Sequence, residues 1–207
     1  MKKKVSILNH EQGNTLHIIR ACEKIGFTIN IVNSKNDFNQ SDKLIIPGVG
    51  RFKTAIENLR KKKLIDPLKV FYNKGNSILG ICLGFQLLFE KSKEDVGIKG
   101  LELIKGEFLR FSKNKIFKVP QIQWNKIKNF NNSKILKNIP SDEYFYFNHS
   151  FYLNKDSVNK KIIKATSNYN KINYPCVVES QNLFATQFHP EKSGIMGLEI
   201  LNNFKNY

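Results

Sequence analysis

A cysteine between two glycines, Gly80-Ile81-Cys82-Leu83-Gly84, is the stretch that most restricts how this chain can fold. The apolar run at 77–79 before it indicates a strand, and the periodicity over residues 85–91 after it indicates a helix. A strand that reverses directly into a helix brings backbones close together, and glycine has no Cβ to obstruct that approach. The sequence therefore predicts a strand, a sharp turn and a helix, with Cys82 at the apex. Because the unpaired N–H groups of a helix N-terminus favour a thiolate, Cys82 is a candidate nucleophile.

Strands and helices alternate along the first 90 residues, and short strand-like pieces follow. This order predicts an α/β fold with a mostly parallel central sheet, flanked by helices and extended by antiparallel additions. The predicted strands are 4–8, 27–32, 43–46, 77–79, 101–104, 115–117, 143–147, 162–167, 177–180 and 183–188, and the predicted helices are 15–25, 52–60, 66–73, 85–91 and 197–206. Residues 120–125 are predicted to form a loop. Ligands gather at the carboxyl ends of parallel strands, where Pro47-Gly48-Val49-Gly50 and Cys82 lie.

Length and composition favour one cytoplasmic domain over residues 1–207. No apolar stretch approaches the roughly 20 residues that span a bilayer. The apolar segment at 5–8 is also shorter than the roughly 7–15 residues of a signal-peptide core. The three cysteines, Cys22, Cys82 and Cys176, are far apart and odd in number. They therefore favour reduced thiols, with no disulfide framework, no metal site and no cofactor.

The chain is strongly basic, with 34 Lys and Arg against 17 Asp and Glu and a net charge of +17. Lysine supplies most of the excess, although arginine is the usual reader of bases. The lysines are scattered, and Lys61-Lys62-Lys63 is the only internal triplet. We therefore expect a solvated basic surface and no specific nucleic-acid binding; the alternative is a surface that attracts a phosphorylated substrate or an acidic partner.

A cysteine nucleophile requires a base, and the base requires a group that fixes its tautomer. His10 lies in the first loop and His17 in a predicted helix, so both are expected to be structural or solvated. His189 follows a strand, and Pro190 stiffens the link to Glu191, so that this carboxylate can accept the Nδ1–H of the imidazole. His149 ends another strand and remains a rival base, but no acid is near it in the sequence.

Two stretches together resemble the signatures of the class I, or triad, glutamine amidotransferases. They are Gly80-Ile81-Cys82-Leu83-Gly84-Phe85-Gln86 and Gln187-Phe188-His189-Pro190-Glu191-Lys192-Ser193. The resemblance covers essentially the whole chain and implies the flavodoxin-like fold of that family. It implies that Cys82 attacks the side-chain amide of glutamine, that His189 transfers the proton and that Glu191 orients His189.

The same resemblance implies roles for further residues. Backbone N–H groups of Val49, Gly50 and Leu83 would form the oxyanion hole. Glutamine would be bound by Gly48, Gln86, His149, Ser150 and Phe151. Cys22 and Cys176 match no signature, and we interpret both as buried apolar residues.

Softer matches point to one branch of the family. Pro47-Gly48-Val49-Gly50-Arg51-Phe52, Trp124-Asn125 and Tyr146-Phe147-Asn148-His149-Ser150-Phe151 resemble glutaminase subunits that supply ammonia to a (β/α)₈ cyclase or synthase subunit in histidine biosynthesis. The resemblance implies a heterodimer with that partner, with contacts at Gln121, Gln123, Trp124 and Asn125.

The chain departs from that branch at two loops. It has Pro120-Gln121-Ile122-Gln123-Trp124-Asn125 where the branch usually has Pro-His-Met-Gly-Trp-Asn, and residues 9–14 differ from its usual Asp-Tyr-Gly-x-Gly-Asn. Three alternatives therefore remain at this point. They are a paralogous subunit that supplies ammonia for amidination of a surface-polysaccharide sugar, a stand-alone cysteine hydrolase, and a catalytically silent protein that binds through its basic surface.

Overall fold

The computed structural model describes residues 3–13, 15–113, 116–130 and 132–207. In chain order the strands are β1 (Lys4–Leu8), β2 (Thr28–Val32), β3 (Lys43–Ile46), β4 (Ser77–Ile81), β5 (Phe89–Ser92), β6 (Ile104–Arg110), β7 (Gln121–Asn129), β8 (Tyr144–His149), β9 (Phe151–Leu153), β10 (Ile163–Tyr169), β11 (Ile172–Ser180) and β12 (Leu183–Thr186). The α-helices are α1 (Leu16–Lys24), α2 (Phe52–Lys61), α3 (Ile65–Asn73), α4 (Leu83–Leu87) and α5 (Gly194–Asn206), and short 3₁₀ turns lie at Lys35–Gln40, Lys160–Ile162 and Pro190–Lys192. No helix in these ranges is long and apolar enough to cross a membrane.

The central sheet has nine strands in the order β2-β1-β3-β4-β12-β11-β10-β7-β8. The first five are parallel, and the remaining pairs are antiparallel. Strands β5, β6 and β9 form a second, smaller sheet. The predicted α/β class, with helices around a parallel sheet and antiparallel additions, is confirmed, and the antiparallel part is as wide as the parallel one.

The middle strands of the sheet are buried on both faces. Every residue of β3, β4 and β12 is buried, as expected for parallel strands that are covered by helices. Alternate residues serve two cores: Ile45 packs in the one that contains α1 and α5, whereas Leu44 and Ile46 pack in the one that contains α2 and α3. The site therefore rests on a scaffold that is apolar on both sides.

Three neighbouring strands of the sheet end side by side. Strand β4 lies between β3 and β12, with Ile46 opposite Gly80 and Thr186 opposite Ile81. The residues that follow these strands, Gly48, Cys82 and His189, are therefore brought to one edge of the sheet. This is the carboxyl edge at which the sequence predicts a ligand site.

The turn after β4 has the tight geometry that its glycines predict. Cys82 adopts φ 51° and ψ −100°, an uncommon backbone conformation for a residue with a side chain. A Cβ on Gly84 would overlap the carbonyl of Ile46, and one on Gly48 would overlap the backbone of Ile81 and Leu83. The strand ends can approach each other this closely because neither glycine carries a side chain.

Several predicted elements are corrected by the structure. The helix predicted over 85–91 ends at Leu87, because Phe89 starts β5, pairs with β6 and packs its ring 5.3 Å from that of Phe108. The strand predicted over 101–104 begins at Ile104, since the N–H groups of Leu101 and Leu103 donate to carbonyls at the end of α4 and of the residue after it. Of the strand predicted over 115–117, Lys115 lies outside the described residues and the other two positions are not in a strand.

The prediction of a loop over residues 120–125 is also wrong. From Gln121 onwards this segment is strand β7, which pairs with both β8 and β10. Polar and apolar residues alternate along it, but the polar Gln121 is buried while the apolar Ile122 and Trp124 are exposed, which is the reverse of the usual pattern of a half-buried strand. The conformation of this segment is determined by pairing with strands that are distant in sequence, which the local sequence does not indicate.

Replacing Gly84 by Ala tests the close packing of the turn. The free energy of unfolding should fall by about 3 kcal/mol, the upper end of the usual cost of over-packing, because the new Cβ would meet main chain that cannot rotate away. Gly97→Ala is the control, since its Cβ would enter open space at φ +85° and add only about 1 kcal/mol of backbone strain. Urea denaturation measures both changes, and equal losses would contradict the packing described here.

Candidate active site

A cleft of about 230 Å³ opens at the carboxyl edge of the sheet, with Cys82 in its wall. The structure brings all eight residues predicted for the oxyanion hole and for glutamine binding to this cleft. The residues that line it are Gly48, Val49, Gly50, Cys82, Leu83, Gln86, Glu94, Pro120, Asn148, His149, Ser150 and Phe151. They come from distant parts of the sequence, so the cleft exists only in the folded chain.

His189 and Glu191 form a buried pair beside Cys82. Nδ1 of His189 lies 2.7 Å from Oε1 of Glu191, and the two side chains are only 1% and 9% exposed. Nε2 of His189 is buried without a hydrogen bond of standard geometry. Burial lowers the pKa of His189, but the negative charges of Cys82 and Glu191 outweigh burial and raise it. The arrangement therefore stabilises an imidazolium between a sulfur and a carboxylate.

The alternative base, His149, is held in its neutral form. Its Nδ1–H donates to the carbonyl of Phe151 at 2.7 Å, and Nε2 lies 3.4 Å from the hydroxyl of Tyr174. Burial lowers the pKa of His149 to about 4, and no carboxylate compensates. His149 is therefore uncharged at neutral pH, and its ring nitrogens are engaged with other groups. Of the two candidate bases, His189 is the one that fits.

The segment Gly48–Gly50 and the start of α4 lie against each other at one side of the cleft, as the near contact of Gly48 with the backbone N of Leu83 shows. The far end of the segment is fixed by Gln12, whose side chain accepts from N–H of Arg51 at 2.7 Å and donates to its carbonyl at 2.9 Å. The guanidinium of Arg51 in turn pairs with Asp95 at 2.6 Å. The predicted oxyanion donors thus belong to two backbone segments that contact each other.

Sequence reasoning assigned no site role to Glu94, Pro120 and Asn148, which line the cleft, or to Gln187. Glu94 lines the cleft, accepts from N–H of Phe52 at 3.0 Å, and has its pKa raised by burial. The charged run Lys93-Glu94-Asp95 is typical of a solvated loop, so no local signal marks it. Gln187 lies behind Cys82, with Nε2 3.7 Å from Sγ. Gln187 is the first residue of the second signature stretch, 187–193, but only the fold shows that its amide contacts the sulfur of Cys82.

The four residues predicted to contact a partner lie on β7 and differ in exposure. Gln123 and Trp124 are exposed, and Asn125 is half-buried, with its side-chain amide donating to Asn168 at 2.8 Å. Gln121 is fully buried and accepts from the hydroxyl of Tyr174 at 2.9 Å. The prediction that Gln121 forms part of a partner surface therefore does not fit the structure, because its side chain is used inside the protein.

Known proteins of similar sequence and fold accord with this geometry. The family model described as glutamine amidotransferase class-I matches residues 6–206. The subunit HisH of imidazole glycerol phosphate synthase from Nostoc punctiforme is 37% identical over 97% of this chain and 94% of its own length. The HisH subunit from Methanocaldococcus jannaschii is 39% identical over 97% of both chains.

Solved structures support the fold at lower identity. PurLQS from Thermotoga maritima superposes with a TM-score of 0.78 at 20% identity, over 100% of this chain and 99% of the other. A structure described as a glutamine amidotransferase gives a TM-score of 0.76 at 16% identity, over 98% of this chain and 99% of the other. At these identities the likeness shows the fold alone.

Proposed function

This chain belongs to the class-I glutamine amidotransferase family, and on that premise we propose that it is the glutaminase subunit of an imidazole glycerol phosphate synthase. The observation that carries the chemistry is the pairing of His189 with Glu191 at 2.7 Å beside the Cys82 turn. The synthase assignment is supported by relatives such as those from Nostoc punctiforme and Methanocaldococcus jannaschii, which match nearly the whole chain.

Cys82 begins the reaction as the nucleophile. The thiol proton passes to Nε2 of His189, the ring nitrogen that has no other partner among the described residues, and the resulting thiolate attacks the side-chain amide carbon of glutamine. Glu191 accepts the Nδ1–H and stabilises the imidazolium that forms. His189 then gives the proton to the departing nitrogen. Ammonia leaves, and a glutamyl thioester remains on Cys82.

Water completes the cycle by attacking the thioester. His189 now accepts a proton from the water and returns it to the sulfur, so that glutamate and the free thiol are released. Both tetrahedral intermediates carry an oxyanion, which N–H groups of Val49 or Gly50 and of Leu83 would stabilise. Loss of one such donor typically slows a reaction about 10²–10³-fold, so the Gly48–Gly50 conformation has a large effect on rate.

The size and charge of the cleft favour a single amino acid as the substrate. Its volume of about 230 Å³ lies below the roughly 300–1,000 Å³ of sites for drug-sized ligands, which favours glutamine over a peptide. Gln86 lines the cleft one helical turn after Cys82 and can bind the amino-acid end of glutamine. Glu94 adds a carboxylate of the charge needed for the α-ammonium group.

An exposed aromatic face beside the triad supports a protein partner. We name the outward side chains Ile122, Trp124, Tyr144 and Tyr146 the β7–β8 face; they lie on one side of the paired strands. Trp124 is 51% exposed, and its ring lies 6.3 Å from that of Tyr146. The carbonyl of Tyr146 accepts from N–H of His189, so this face adjoins the site that makes ammonia. Exposed aromatic patches of this kind are typical of protein interfaces.

The partner we propose for this face is a (β/α)₈ synthase subunit that receives the ammonia. The paralogous role in sugar amidination rested partly on the departures at Gln121 and Gln123. Because Gln121 is buried, its identity has no direct bearing on which partner binds. Gln123 is exposed and still departs from the pattern, so the support for histidine biosynthesis comes from the HisH relatives, and it is the pathway that we favour.

Cys82→Ala tests the proposed chemistry. With the synthase subunit present, release of glutamate from glutamine should fall at least about 10⁴-fold, because the covalent route is lost. Cys176→Ala is the control, since Cys176 is fully buried away from the cleft and should leave turnover intact. A glutamine-like electrophile, 6-diazo-5-oxo-norleucine, should label Cys82 of the wild type, as read by peptide mass.

Residual turnover in the Cys82 variant, or labelling of another cysteine, would refute the assignment of Cys82 as the nucleophile. Full turnover by the isolated wild-type chain would instead indicate a stand-alone hydrolase.

Trp124→Ala tests the proposed partner surface. The dissociation constant for the purified (β/α)₈ subunit should rise about 10- to 100-fold in calorimetry, the usual effect of losing a central aromatic contact. Val70→Ala removes an apolar side chain of similar exposure near the amino ends of β3 and β4, opposite the cleft, and should leave the affinity unchanged. Equal effects of the two substitutions on the dissociation constant would argue against the β7–β8 face as the surface that binds the partner.

A further inference from the structure

Gln187 is a fully buried side chain whose amide contacts the sulfur of Cys82. Its Nε2 lies 3.7 Å from Sγ, within hydrogen-bond range for a sulfur acceptor. It is not among the residues that line the cleft, so it reaches the sulfur from the protein interior and not from the substrate side. The roles that family resemblance assigns, which are nucleophile, base, acid, oxyanion donor and glutamine ligand, do not include it.

Backbone pairing holds Gln187 in this position. The N–H of Cys82 donates to the carbonyl of Thr186 at 2.8 Å, which extends the parallel register of β4 and β12 by one residue. The N–H of Gln187 donates to the carbonyl of Cys176 at 2.8 Å on the other side. Gln187 is therefore anchored beside Cys82 and cannot turn away from it without breaking the ladder.

The other end of this amide has no partner. Oε1 of Gln187 is buried and accepts no hydrogen bond from the described residues. An unpaired buried carbonyl costs free energy that an apolar side chain of the same shape would avoid. A polar side chain in this position therefore lowers the stability of the fold. Its amide nitrogen, however, contacts the sulfur of Cys82, which suggests that the position is used for chemistry.

We propose that Gln187 is a catalytic residue that stabilises the Cys82 thiolate by donating a hydrogen bond from Nε2 to Sγ. This inference rests on the proposed function, in which Cys82 is the nucleophile. Before the proton is transferred, the thiol can donate to the carbonyl of Asn148, which lies 3.5 Å from Sγ. When the thiol proton passes to Nε2 of His189, the sulfur becomes an anion, and its bond from Gln187 becomes charge-assisted and stronger.

The same bond acts again later in the cycle. In the thioester the sulfur is neutral and a poor acceptor, so the bond weakens. When water attacks the thioester and the C–S bond breaks, the leaving sulfur is again an anion, which the N–H of Gln187 stabilises until His189 returns the proton.

Two variants separate this role from packing. Gln187→Met keeps the approximate shape without the N–H donor, and Gln187→Glu keeps the shape but replaces the donor with an oxygen. The probe is iodoacetamide, from which the thiolate displaces iodide to form a thioether, and peptide mass spectrometry reads alkylation at Cys82. Burial raises the pKa of Cys22 to about 12 and also raises that of Cys176, so these two thiols should remain unmodified near neutral pH.

Alkylation of Cys82 at pH 7 should be about tenfold slower in Gln187→Met, because the thiolate loses the hydrogen bond that stabilises it. Gln187→Glu should be slower still, because a carboxylate repels the thiolate. The urea midpoint of Gln187→Met should equal or exceed that of the wild type, which a purely structural role does not predict.

Alkylation at the wild-type rate in either folded variant would overturn the role of Gln187. Absence of alkylation at Cys82 in the wild type would instead overturn the proposed function, because no glutamine or partner is needed for this reaction.

Discussion

The site depends on the close approach of two strand ends and one helix start. Gly84 packs against the carbonyl of Ile46, and Gly48 packs against the backbone of Ile81 and Leu83, at distances that a Cβ would prevent. This contact holds Cys82 at positive φ, and it brings the backbone donors of the neighbouring segment beside the sulfur. A strained residue persists when its surroundings over-determine it, and here the surroundings are main chain.

Burial alone does not determine what each histidine does. His10, His149 and His189 are all buried, yet burial lowers the pKa of the first two, whereas that of His189 is raised. The difference is the neighbouring charge: His10 and His149 contact backbone carbonyls, while His189 lies between Glu191 and Cys82. An opposite charge nearby outweighs desolvation at this one position. The fold thus separates structural histidines from the one suited to transfer protons.

Much of the scaffold was predictable because local pattern and tertiary structure agree there. Strands β1 and β3 have the predicted bounds, and the Cys82 turn follows from its two glycines. The pair His189–Glu191 was predicted from the intervening proline. The prediction failed where long-range pairing prevails, as in β5 and β7, whose sequences resemble a helix end and a loop. Glu94 could not be found from sequence, since only the fold brings its loop to the cleft.

Coupling between Cys82 and His189 across 107 positions of sequence is the central claim, and the titration of His189 tests it most directly. In protein with isotope-labelled histidine, NMR follows each of the four imidazoles with pH, and His10 serves as the internal reference. A thiolate beside the imidazole favours its protonated form, so in Cys82→Ala the pKa of His189 should fall while that of His10 stays constant. A His189 titration that is the same with and without the sulfur would contradict the account.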